Sequence, residues 1–171
     1  MNAIEEYDKF TAAVHEAGHL TIAYAQRRYG SAEIWPRENP APHELTWCGN
    51  FSMISLVELG GGPMTPEIAV AGEVAEVWFH DRDIEAPLVC DYITNEEHST
   101  TDLVAWPNND LECTVARVLD LLRLHADTFQ WAVQVLMDQQ CISDGMTKVR
   151  AYHAGGGGSG SVVKTACYEH A

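Results

Sequence analysis

The stretch from about Ile4 to Tyr29 constrains the fold more than any other part of the chain. Ala12, Ala13, Val14, Ala17, Leu20, Ile22, Ala23 and Ala25 cover almost the whole circumference of a helix. A helix that is apolar on all sides is a buried one. Glu5 and Glu6 stand in its first turn, Arg27 and Arg28 in its last, and Gly30 follows. That order suits the helix dipole and predicts a glycine stop. The rest of the chain must therefore pack around this segment. Three polar residues interrupt its apolar surface: His15, Glu16 and His19. Burying them is costly unless they are paired or bind something.

His15-Glu16-Ala17-Gly18-His19 reads H-E-x-x-H. Histidines four residues apart share one helical face, so their imidazoles can converge on one cation. Glu16 lies roughly 100° further round. That placement suits it to serve a water beside a cation rather than to bind the cation. The chain's own His and Glu content makes roughly 0.03 such pentapeptides by chance. The competing reading is a pair of core histidines satisfied by hydrogen bonds. Two histidines leave a third protein ligand to be found. Glu73, Glu76, Asp102 and Asp110 are the downstream carboxylates the residue pattern leaves open.

The remaining segments predict what surrounds the helix. Ala32–Trp35 and Leu45–Val57 read as strands, the second rich in Thr, Trp, Phe, Ile and Val. Gly60-Gly61-Gly62-Pro63 breaks the chain. Thr65 as N-cap and Pro66 at the first helical position then open a helix to about His80. Residues 81–108 read mostly as acidic loop. Helices are expected from 108–110 to about His125, from about Asp127 to Cys141, and from Ser143 to Tyr152. Cys113 reads as a small buried hydrophobe. The fold class is α+β and mainly helical, with a small antiparallel sheet beside the histidine-bearing helix. At 171 residues, 46% hydrophobic and 20% charged, the chain suits one globular domain. That domain is expected over residues 1–154, and residues 155–171 form a Gly/Ser-rich linker and tail.

The formal net charge is −15. It speaks against nucleic acid or an anionic membrane as partner, since both need a positive footprint. The charge is uneven: His80 to Glu112 holds nine acids and one base, Arg82. Five widely spaced cysteines with no C-x-x-C suggest reduced thiols rather than a disulfide framework. Neither a secretory leader nor a membrane-spanning segment is apparent, so a cytoplasmic location is expected.

AAVHEAGHLTIAY resembles the zinc-binding helix of the FtsH family of ATP-dependent zinc peptidases, which carry HEAGH in such a setting. Three further stretches agree in order. AEIWPRE is similar to the family's strand ending in a Pro-Arg turn. VAGEVAEVWF resembles its Ala-Glu helix. NNDLECTVARVL resembles the helix start that supplies the third metal ligand. The resemblance covers about Ala12 to Leu124 and implies a zincin-like peptidase domain. It makes His15, His19 and Asp110 ligands of Zn2+ and Glu16 the general base, with Asp102 as the fallback ligand. Glu76 matches the family's Ala-Glu position, as a partner of a ligand histidine. The ATPase module is absent: no G-x-x-x-x-G-K-[ST] occurs. The implied activity is a standalone zinc metallopeptidase acting on peptides or unfolded segments. An ATPase partner or homo-oligomer is left open. The alternative is a catalytically degenerate metal-binding regulatory or interaction protein of the same fold.

Overall fold

The computed structural model describes residues 2–53, 64–95 and 111–154. The Gly60–Pro63 break, the end of the second strand, Asp102, Asp110 and the tail 155–171 lie outside these. Helix α1, Ala3–Ala25, opens on a capping box: the Asn2 side chain accepts from Ile4 and Glu5 N–H, and the Glu5 carboxylate accepts from Asn2 N–H. As its composition requires, it is the central element. It packs against four helices and both long strands, and Ala13, Ala17 and Ile22 are fully buried.

The helix ends four residues before the expected stop, and not on a glycine. Arg27 takes the left-handed conformation (φ 57°), and Arg28 N–H bonds back to the Ala23 carbonyl. Gly30 instead begins strand β1, Gly30–Pro36. A Cβ on Gly30 would come within 2.7 Å of the Phe51 ring and the Ser52 carbonyl, so close approach, not helix termination, explains the glycine.

Strand β2, Trp47–Met53, pairs antiparallel with β1 in a register that sets Ala32 opposite Phe51 and Ile34 opposite Gly49. A two-residue strand β3, Cys141–Ile142, joins the other edge of β1, giving the order β2-β1-β3. The sequence reading had carried a helix through Cys141. The chain instead turns at Gln140 (φ 63°), whose carbonyl accepts from Ile34 N–H.

The helix expected from Thr65 to His80 is present but broken. Thr65 caps a single turn, α2 (Pro66–Ala69), and α3 (Ala71–His80) follows after Val70. Residues 81–108 were expected as loop, but α4 occupies Ala86–Asn95. Buried Val89 and Ile93, four residues apart, give it one apolar face amid polar neighbours. α5 (Leu111–Leu124) packs on that helix, and α6 (Ala126–Gln139) packs along α1. α7 (Asp144–Ala154) closes the described chain. The molecule is thus mainly helical with a small antiparallel sheet, as the class α+β requires.

Among the described residues, no helix is long and apolar enough to cross a membrane. Cys48, Cys90 and Cys113 are not disulfide-bonded. Cys141 is disulfide-bonded, which departs from the expectation of reduced thiols throughout. Cys113 is exposed rather than buried, because it lies on the outer face of α5 beside Arg117.

Candidate metal centre

The two histidines of α1 point at one another. Their Nε2 atoms are 3.1 Å apart. Each ring is fixed from behind by an acceptor at Nδ1. For His15 it is Glu76 Oε1 on α3, at 2.6 Å; for His19 it is the Ile68 carbonyl on α2, also at 2.6 Å. A proton on each Nδ1 leaves both Nε2 lone pairs directed into the same space. This is the tautomer that metal-ligating histidines adopt, with the remote N–H given to a carboxylate or a carbonyl.

The chain builds this arrangement with small residues and a helix break. Gly18 lies where α3 crosses α1: a Cβ there would come within 2.7 Å of Ala75 Cβ and closer still to the Ala71 carbonyl. Gly72 lies under the His15 ring, and a Cβ there would overlap Cε1 at 2.5 Å. The Ile68 carbonyl stands in the single turn of α2 and accepts from His19 as well as from the capping Val70 N–H. On the other side Phe51 of β2 stacks on His19, with ring centroids 5.5 Å apart and planes 17° off parallel.

Glu16 is buried on the sheet side of α1. Its carboxylate lies against Gly49 of β2: a Cβ at Gly49 would meet Glu16 Oε1 at 2.5 Å and Cδ at 2.8 Å. The strand glycine therefore makes room for the acid.

The two imidazoles titrate in opposite directions. Burial opposes charge on His15, but the Glu76 hydrogen bond and the charges of Glu76, Glu16 and Glu73 outweigh it, and its pKa rises from 6.5 to about 9. Burial and then the charge on His15 lower His19 from 6.5 to about 3, against the pull of the Ile68 carbonyl. Without a metal, the proton between the two Nε2 atoms therefore belongs to His15, and His19 accepts it.

The two ring nitrogens have the spacing of a pair of donors on one tetrahedral ion. Two Zn–N bonds of about 2.0–2.1 Å at a tetrahedral angle separate the nitrogens by roughly 3.3 Å, against 3.1 Å here. Among the described residues no group of three or more His, Cys, Asp or Glu side chains converges on one point. Asp110 and Asp102, the sequence candidates for a third ligand, lie outside them. Of the other candidates, Glu76 is engaged with His15 Nδ1 on the side away from the facing Nε2 pair. Glu73 is buried on α3 and contributes charge toward His15. The structure thus brings His15, Glu16 and His19 together with Glu76. The sequence did not reveal the Ile68 carbonyl or the paired roles of Gly49 and Gly72. An Ile and two glycines carry no chemical signature until the helix break and the strand register are known. Comparison of the sequence with protein-family models and with curated proteins gives no match.

Proposed function

We propose that this chain is a zinc-dependent metallopeptidase that hydrolyses peptide bonds in peptides or unfolded segments. The observation that carries the reading is the facing Nε2 pair, with each Nδ1 held by an acceptor and a buried glutamate one residue along the helix. With no metal the two nitrogens form a hydrogen bond; what a hydrogen-bonded pair alone does not call for is the buried Glu16 beside it. His15 and His19 would hold the ion through Nε2, and Asp110, or failing it Asp102, would complete the set. Asp110 directly precedes α5, and Arg117 of that helix pairs with Glu67 of α2 at 3.0 Å. Arg123 bonds the Ile84 carbonyl beyond α3. α5 therefore runs with its N-terminal half toward α2, the element that orients His19.

When bound, zinc supplies Lewis acidity to the scissile carbonyl and makes a nearby water acidic at neutral pH. The protein does the rest. Glu16 takes the proton of the attacking water on its carboxylate and returns it to the leaving amine. Glu76 and the Ile68 carbonyl keep the imidazoles in the required tautomer. β2 is an edge of the described sheet, and its Gly49 touches Glu16. An extended peptide added along β2 would pass beside the base.

The test is elemental analysis of purified protein together with peptide cleavage by wild type and Glu16→Gln. One zinc per chain in both, with cleavage lost by roughly 10²–10⁴-fold in the variant, is the expected result. Protein without stoichiometric transition metal would overturn the proposal. Zinc without cleavage would favour the degenerate metal-binding reading.

A further inference from the structure

A groove of about 310 Å3 lies between the N-terminal half of α1, the C-terminal half of α3 and α4. Its size is at the lower end of small-ligand clefts. Aromatic rings wall it: Tyr7 and Phe10 from α1, Phe79 from α3 and Tyr92 from α4. Phe10 and Phe79 meet edge to face with centroids 5.0 Å apart. Two carboxylates, Glu76 and Asp81, and the imidazole of His80 belong to the lining, and among the described residues no Lys or Arg does. Tyr7 is 57% exposed, so its ring stands open to an incoming group. One of these rings, Phe79, already has a cation of the chain itself near it, since Arg82 lies 5.0 Å from its centroid.

We infer that this groove binds a cationic side chain, Lys or Arg, of a peptide. Ring faces attract a desolvated ammonium or guanidinium through their quadrupoles, and the aliphatic stem of such a side chain packs on the aromatic walls. Glu76 and Asp81 supply the opposite charge. A purely apolar side chain would have to desolvate Asp81 without compensation, whereas Glu76 already faces His15. Glu76 is shared with the histidine site, because it bonds His15 while lining the groove. A peptide held here would lie next to that site. The meaning of the bound peptide as substrate rests on the peptidase reading, but the binding does not.

The experiment is an amide-resolved NMR titration of Glu16→Gln protein with three octapeptides. Each is acetylated, amidated and made of Ala and Gly, with one central Lys, Leu or Glu. The expected result is shift changes centred on Tyr7, Phe79 and Asp81, with the Lys peptide binding at least about tenfold tighter than the other two. Asp81→Asn keeps a side-chain oxygen that can accept from Asp83 N–H, and it should weaken the Lys peptide by roughly three- to tenfold. Tyr7→Ala should do the same and leave the Leu peptide unaffected. Equal affinity for the Lys and Leu peptides, or shifts centred elsewhere, would overturn the inference. Cleavage without this preference would leave the peptidase reading standing and remove the groove. The preference without cleavage would do the reverse.

Discussion

The two flanks of the histidine pair are built on opposite plans. On the α3 flank, His15 is part-exposed, with 23% of its side chain accessible, and is held by a charged carboxylate. On the α2 flank, His19 is 5% exposed, held by a neutral carbonyl and covered by an aromatic ring. One flank stabilises positive charge and the other excludes it. Two identical side chains one turn apart therefore differ in basicity, through what packs behind them and through the charge each presents to the other. A site so divided can release a proton from one ligand as it takes up a metal, while the other ligand stays neutral throughout.

The largest effect should come from removing the buried member. His19→Ala is expected to abolish stoichiometric zinc binding, measured by elemental analysis after dialysis; full retention would break the comparison at its root. Next is the glycine between the flanks. Gly18→Ala should cost roughly 2–3 kcal/mol in chemical denaturation, because the backbone of α3 has to move. An unchanged midpoint would mean that α1 and α3 are further apart. Glu76→Gln should lower zinc affinity about 10–100-fold in a competition titration while barely changing stability, since this carboxylate is 29% exposed. If affinity does not change, the charged flank is decorative.

The pH dependence of metal-free stability sharpens the contrast. Unfolded His19 takes up a proton near 6.5, whereas the folded residue resists until about 3, so stability should rise with pH across that window. Folded His15 holds its proton to about 9, so its contribution is complete below 6.5 and fades as pH climbs through 9. Denaturation midpoints in the presence of a chelator should therefore peak near 6.5, and Glu76→Gln should flatten the alkaline limb. The smallest effect is at the stacked ring: Phe51→Leu should weaken folding by about 0.5–1.5 kcal/mol, with zinc still bound.

The central helix and the convergence of His15 with His19 were legible in the sequence because both follow from local spacing. The apolar circumference named a buried helix, and i,i+4 fixed the shared face. Thr65-Pro66 announced the next helix start for equally local reasons. The break at Val70 was not legible. Nothing in PEIAVAGEVAE forbids a continuous helix, and the interruption pays off only through a partner on α1. α4 was missed because its signal is the single pair Val89 and Ile93 within an acidic stretch, and its stability comes from α5. β3 was missed because two residues carry no periodicity. Glu76 stood among the candidate ligands, its role as a histidine's partner was indicated by resemblance alone, and its contact with His15 required the crossing of two helices.

The one-turn helix α2 ties the site to its own scaffold. Gln26 caps the C-terminus of α1, and its side chain accepts from the Thr65 hydroxyl at 2.9 Å. Thr65 caps α2, and α2 presents the carbonyl that orients His19, which belongs to α1 again. The path closes on itself within two short spans of sequence. His19 is thus aligned against a reference carried by its own helix, like an instrument calibrated from its own frame. Thermal displacement of α1 takes α2 with it, and the ring keeps its aim. Thr65→Val, which leaves the core untouched, should register as a looser metal site before it registers as a less stable fold.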